Sequence, residues 1–105
     1  MPRHDFTALF EKYQGVIDQM PDPFTSHRFI LCLAQQNQAL YIDALDSYRH
    51  ESAPFKIVHG VLARHLHAFK ESIELVRRDE PSPDIFDQPG RCAKWRKVKP
   101  HAKEG

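Results

Sequence analysis

The chain has 105 residues, 41% of them apolar and 28% charged, with a net charge of +1 at neutral pH. That is the composition of one ordinary globular domain rather than of a disordered segment. Its longest apolar run, Phe29 to Ala34, is far short of the roughly 20 residues a membrane span requires. The first residues carry Asp5 and Glu11 and none of the apolar stretch of a secretory signal, so a cytoplasmic protein without membrane contact is expected. Cys32 and Cys92 stand at no metal or redox spacing and are expected to be free thiols.

In chain order, Phe6, Leu9, Phe10, Tyr13, Ile17 and Met20 recur at intervals of three and four, which places them on one face of a helix. Asp5 suits its N-cap and Pro21 its end. A second helix, capped by Thr25 or Ser26, is expected to run to about His50, with Phe29, Ile30, Leu33, Ala34, Tyr41, Ala44, Leu45 and Tyr48 as its apolar stripe. Gln35 to Gln38 interrupt that stripe. No Gly or Pro marks a turn there, so one long helix is favoured over a break at Asn37.

Pro54 suits the first turn of a third helix capped by Ser52. Phe55, Val58, Leu62, Leu66 (or His65), Phe69, Ile73 and Val76 step by threes and fours along it, close to a heptad seam, and Glu74 and Arg78 form an i, i+4 pair on its exposed side. Helices two and three would then form a long antiparallel hairpin on which helix one packs. The fold expected is all-α: a three-helix bundle over 1–80, and a Pro-containing basic tail over 81–105 partly docked through Ile85, Phe86 and Trp95. In that tail Cys92 and Trp95 would share one short helical turn, and the chain past Lys97 would be mobile.

The net charge is unevenly placed. From Arg91 to Gly105 there are six basic residues and one acid, which leaves nine basic and thirteen acidic residues in the first ninety. Arg91, Lys94, Arg96, Lys97 and Lys99 could neutralise phosphates, and Trp95, if exposed, could stack on a base. Folding back of the tail onto the acidic body is the plainer expectation. A helix-turn-helix would require the second helix to break near Gln36, so that Leu40–Tyr48 and Pro54–Phe69 become successive helices. The second of these would carry Lys56, Arg64 and His65.

Seven histidines invite a search for metal ligands, which must share a helix face or meet across a turn. Asp43, Asp46 and His50 share a face, and an antiparallel hairpin would bring His59 level with Asp46. These four are the candidate metal or acid–base cluster, and a solvated face with an Asp46–His50 pair is the simpler account. No spacing for nucleophilic catalysis and no phosphate-cradling glycine loop is present. The reading that results is a non-enzymatic helical interaction domain, adaptor or regulatory, with no cofactor. A protein partner or second copy would cover surplus apolar surface. The first alternative is a nucleic-acid-associated accessory protein.

Overall fold

In the computed structural model, which describes residues 4–98, the chain is a mixed α/β domain rather than an all-α bundle. A single turn α1 (Thr7–Phe10) leads into α2 (Tyr13–Gln19), a two-residue strand β1 (Phe24–Thr25), α3 (Ser26–Gln36), α4 (Gln38–Ser47) and α5 (Pro54–His65). A 3₁₀ turn, Leu66–Ala68, then gives way to two strands, β2 (Ile73–Pro81) and β3 (Arg91–Lys97). The sheet is antiparallel in the order β1-β3-β2, so the last strand is its centre.

The expected first helix is divided into α1 and α2; of its face, Phe6, Leu9, Tyr13, Ile17 and Met20 are buried and Phe10 is half-buried, with Val16 buried beside them. Asp5 Oδ1 accepts from the Thr7 backbone N–H at 2.9 Å and from its hydroxyl at 2.7 Å, which also holds the Asp5 carboxyl below its ordinary value. Thr25 caps α3 by accepting from Arg28 N–H at 3.2 Å.

The second helix does not run through. Asn37 sits at φ −138° and separates α3 from α4. Its side-chain amide donates to Leu33 O at 3.0 Å, taking the acceptor that its own backbone N–H would use in a continuous helix. Short polar side chains compete with the backbone in this way, and the helix ends without needing Gly or Pro.

The third helix departs furthest from expectation. Ala53, not Ser52, is its N-cap, and it stops at His65 instead of continuing past Val76. Ile73 and Leu75 turn inward while Glu74 and Val76 turn out, the period of a strand. Their spacing from Leu66 and Phe69 also fits a helix, so the two periods overlap there. Tertiary pairing decides: Ile73 lies opposite Lys97, Leu75 opposite Trp95 and Glu80 opposite Cys92, with irregularities between Leu75 and Glu80. The Cys92–Trp95 helical turn is therefore also replaced, by the central strand.

Phe24, Leu75 and Trp95 lie side by side on one face of the sheet and pack with Phe29, Ile30, Leu33, Val58, Leu62 and Leu66 into one core. Burying each large apolar side chain contributes about 1.5–3 kcal/mol. Polar ties across it are few and specific. The Tyr13 hydroxyl donates to Leu62 O at 2.6 Å, and the Trp95 indole N–H donates to Ser26 Oγ at 2.9 Å. No helix among the described residues is long and apolar enough to cross a membrane.

Candidate functional site

The expected cluster of Asp43, Asp46, His50 and His59 is not assembled. Asp46 pairs with Arg49 at 3.2 Å, and Asp43 and His50 are exposed. His59 lies level with Tyr41 instead, whose hydroxyl meets His59 Nε2 at 2.5 Å. Among the described residues no three His, Cys, Asp or Glu side chains gather as a metal ion would need.

The basic residues of the last strand are engaged with the rest of the chain. Arg91 pairs with Asp79 at 2.7 Å, Lys94 with Glu80 at 3.9 Å, and Arg96 with Glu74 across the sheet. Lys97 Nζ donates to the carbonyls of Asp18 and Met20 at 3.1 and 3.0 Å. Trp95 is 3% exposed, so its ring faces the core and has no free face for a base. Ile85 packs against the core, whereas Phe86 stands out at 50% exposure. Lys99, and the expected mobility beyond Lys97 apart from Val98, lie outside the described residues.

A different site emerges between α5 and the β2–β3 hairpin. An open groove of about 640 Å³ runs there, bounded by His27 and Ile30 of α3, by Arg91 to Ala93 of β3, and by Asp84 and Phe86 of the connecting loop. Along α5 its wall is Phe55, Lys56, His59, Gly60, Ala63, Arg64 and, just beyond the helix, His67. Those positions recur at helical spacing and constitute the outward face of α5, while Val58 and Leu62 point into the core. From Ala53 to Lys70 the sequence has Lys56, Arg64, Lys70 and three histidines, and no acid. Lys56 and Arg64 have no carboxylate partner among the described residues.

The groove is held open by specific contacts. Pro54 starts α5 and sets its direction. His27 Nδ1 bonds to Ser82 O at 3.0 Å, and Ser82 Oγ donates to Thr25 Oγ1 at 3.1 Å, which ties the hairpin to the start of α3. Gly90 lets the hairpin approach this closely, because a Cβ there would meet the His27 ring at 3.3 Å and Ser82 O at 3.5 Å. The loop builds its own support: Asp84 Oδ1 accepts from the N–H groups of Phe86 and Gln88, and Asp87 takes a left-handed φ of 64°. Those two bonds keep the Asp84 carboxyl below its usual range. The result is a preformed turn that carries Phe86 on its outside.

Opposite it, Phe55 is 46% exposed, and the two phenyl rings meet edge to face at 4.7 Å. His59 lies behind them, 5.7 Å from Phe55 and 6.3 Å from Phe86. Burial, with His27 nearby, lowers the His59 pKa against the opposing pull of Asp84. Burial pushes Tyr41 up to about 12, and its hydroxyl shares the hydrogen bond with the His59 ring. The chemistry this arrangement offers is binding: donors and cations along one helix, exposed aromatics at one end, and a single carboxylate.

Of these residues the sequence points to Arg91 for phosphates, to His59 for a metal cluster, to Lys56 and Arg64 on a helix-turn-helix, and to Phe55 and Phe86 as packed side chains; Gly60 carries no such signal by itself. A glycine inside a helix costs about 1 kcal/mol against alanine, and the acid-free run beside it is the signal that could have drawn attention to this face. No protein-family model, curated protein or solved structure matches the chain.

Proposed function

We propose that this domain binds nucleic acid through the outward face of α5 and the hairpin beside it. The observation that carries the reading is the groove wall itself: an acid-free helix face with Lys56 and Arg64 unpaired among the described residues, beside His27, His59 and His67, opening to solvent. Phosphates are neutralised by such cations with release of counterions, which supplies most of the affinity for nucleic acid. Gly60 and Ala63 leave the middle of the face low, so a bulky backbone can approach.

The arrangement of elements supports this reading. The break at Asn37 makes α4 and α5 successive helices joined by a turn, the condition a helix-turn-helix needs. Fold analogy alone carries no function, and the charge on α5 carries the reading here. Ile73 and Trp95 of the strands join the helices in one core, while Phe55 and Phe86 stay about half exposed at the groove.

Titration of fluorescently labelled single-stranded and duplex oligonucleotides by anisotropy, from 50 to 300 mM salt, tests the proposal. Binding that weakens log-linearly with salt is expected. Failure of every oligonucleotide to bind at 50 mM salt would overturn it. Deleting residues 91–105 is not a usable test, since it removes the central strand of the sheet.

A further inference from the structure

The groove is not furnished like a duplex-reading surface. Base edges in the major groove are read by forked donors and amides, with Arg on guanine and Asn or Gln on adenine. The outward face of α5 has Lys56 and Arg64 but no Asn or Gln, and Phe55 occupies its first turn, where a recognition helix makes its base contacts. Large apolar side chains left about half exposed in a charged cleft call for an explanation. Phe55 and Phe86 come from separate elements, face one another at 4.7 Å, and Phe86 is held out by a turn with its own hydrogen bonds.

Charge is also sorted along the groove. Asp84, the one carboxylate on its wall, lies on the loop that carries Phe86, while Lys56 and Arg64 lie on α5. Phe55 to Arg64 spans nine residues, about 13 Å along the helix. A carboxylate repels phosphate but accepts from the exocyclic amino groups of unpaired bases. The volume, about 640 Å³, is within the range of small-ligand sites.

We infer that the groove holds unpaired nucleobases of a single strand, with Phe55 and Phe86 supplying the stacking surfaces and Lys56 and Arg64 taking the phosphates. This rests on the nucleic-acid reading above and sharpens it to a class of ligand. Stacking on aromatic side chains tolerates any base, so the site would prefer single strands over duplex with little sequence selectivity. Asp84 would add a preference for bases that carry an amino group.

The test compares a labelled 15-nucleotide single strand with a hairpin duplex, using wild type, F55A, F86A and F86W. Both phenylalanines are about half exposed, so the variants should fold, and circular dichroism with thermal melting checks that they do. The single strand should bind more tightly than the duplex. F55A and F86A should each weaken it about tenfold or more, F86W should retain it, and weak duplex binding should change less than twofold. Duplex bound as tightly as single strand, or F86A weakening both alike, would overturn the inference and leave the broader reading standing. Binding of neither probe would overturn both. Binding of an acidic peptide in their place would assign the groove to a protein ligand and likewise contradict it.

Discussion

Helices α4 and α5 are nearly equal in length, at 10 and 12 residues, and pack against one another, yet their outer faces are opposites. Outside its buried Tyr41 and Ala44, α4 presents Asp43, Asp46 and an exposed Ile42, with no cation. Outside its buried Val58 and Leu62, α5 presents Lys56, His59, Arg64 and small residues, with no acid. What matters is therefore the face, not the position along the chain. A count by sequence puts positive charge in the last fifteen residues, but the structure pairs Arg91, Lys94 and Arg96 with acids of β2. Among the described residues, Lys56 and Arg64 on the groove wall of α5 have no such partner.

The comparison depends on the core that α5 and the sheet share, and breaking that core should have the largest effect. Trp95→Ala empties the core beside Ser26 and leaves the Ser26 hydroxyl without its donor, so a loss of about 3–5 kcal/mol is expected in a denaturant melt. A melt within about 1 kcal/mol of wild type would mean that β3 does not anchor the domain.

Gly60→Ala separates stability from binding. Its Cβ would meet only the far end of the Arg64 side chain, at 3.3 Å, and alanine should stabilise the helix by about 0.5–1 kcal/mol. The same methyl group raises the groove floor and displaces Arg64, so oligonucleotide affinity should fall about threefold while Tm rises. Affinity that rises along with Tm would show that the floor of the groove takes no part.

Acid should also divide the two helices. Burial holds both His59 and His65 below the usual histidine value of 6.5, so between those lowered values and about 6.5 the unfolded chain binds more protons than the folded one. Their contribution to stability is fully present above pH 6.5 and lost as pH falls through the lowered values. A lower Tm at pH 5.5 than at pH 7.5 is expected, and His59→Gln should flatten the dependence. Replacing the exposed Asp43 and Asp46 of α4 by asparagine should do least, changing stability by under about 0.5 kcal/mol.

Much of the helical core was legible in the sequence because Phe6, Leu9, Tyr13 and Ile17, and then Phe29, Ile30 and Leu33, follow a single period and have one interpretation. The strands were not. Leu66, Phe69, Ile73 and Val76 satisfy a helical spacing as well as Ile73 and Leu75 satisfy alternation, and only pairing with a segment more than twenty residues away resolves the two. The alternation of Ala93, Trp95 and Lys97 with Lys94 and Arg96 was masked by its charge, which read as a solvated tail. The groove was hidden for a related reason: Phe86 and Phe55 lie thirty residues apart and become a site only once β2 turns the chain back beside α5.

The central claim, that the cations of α5 and not the paired Lys94 and Arg96 of the last strand take the phosphates, is tested most directly by two matched double variants. Lys56→Ala with Arg64→Ala removes two charges from the groove, and Lys94→Ala with Arg96→Ala removes two that are paired within the sheet. In salt-dependent anisotropy titrations with a single strand the α5 variant should lose about tenfold or more in affinity and about 1.4 units of the log–log salt slope. The β3 variant should stay within about threefold of wild type. The reverse ranking, or equal losses from the two, would contradict the account.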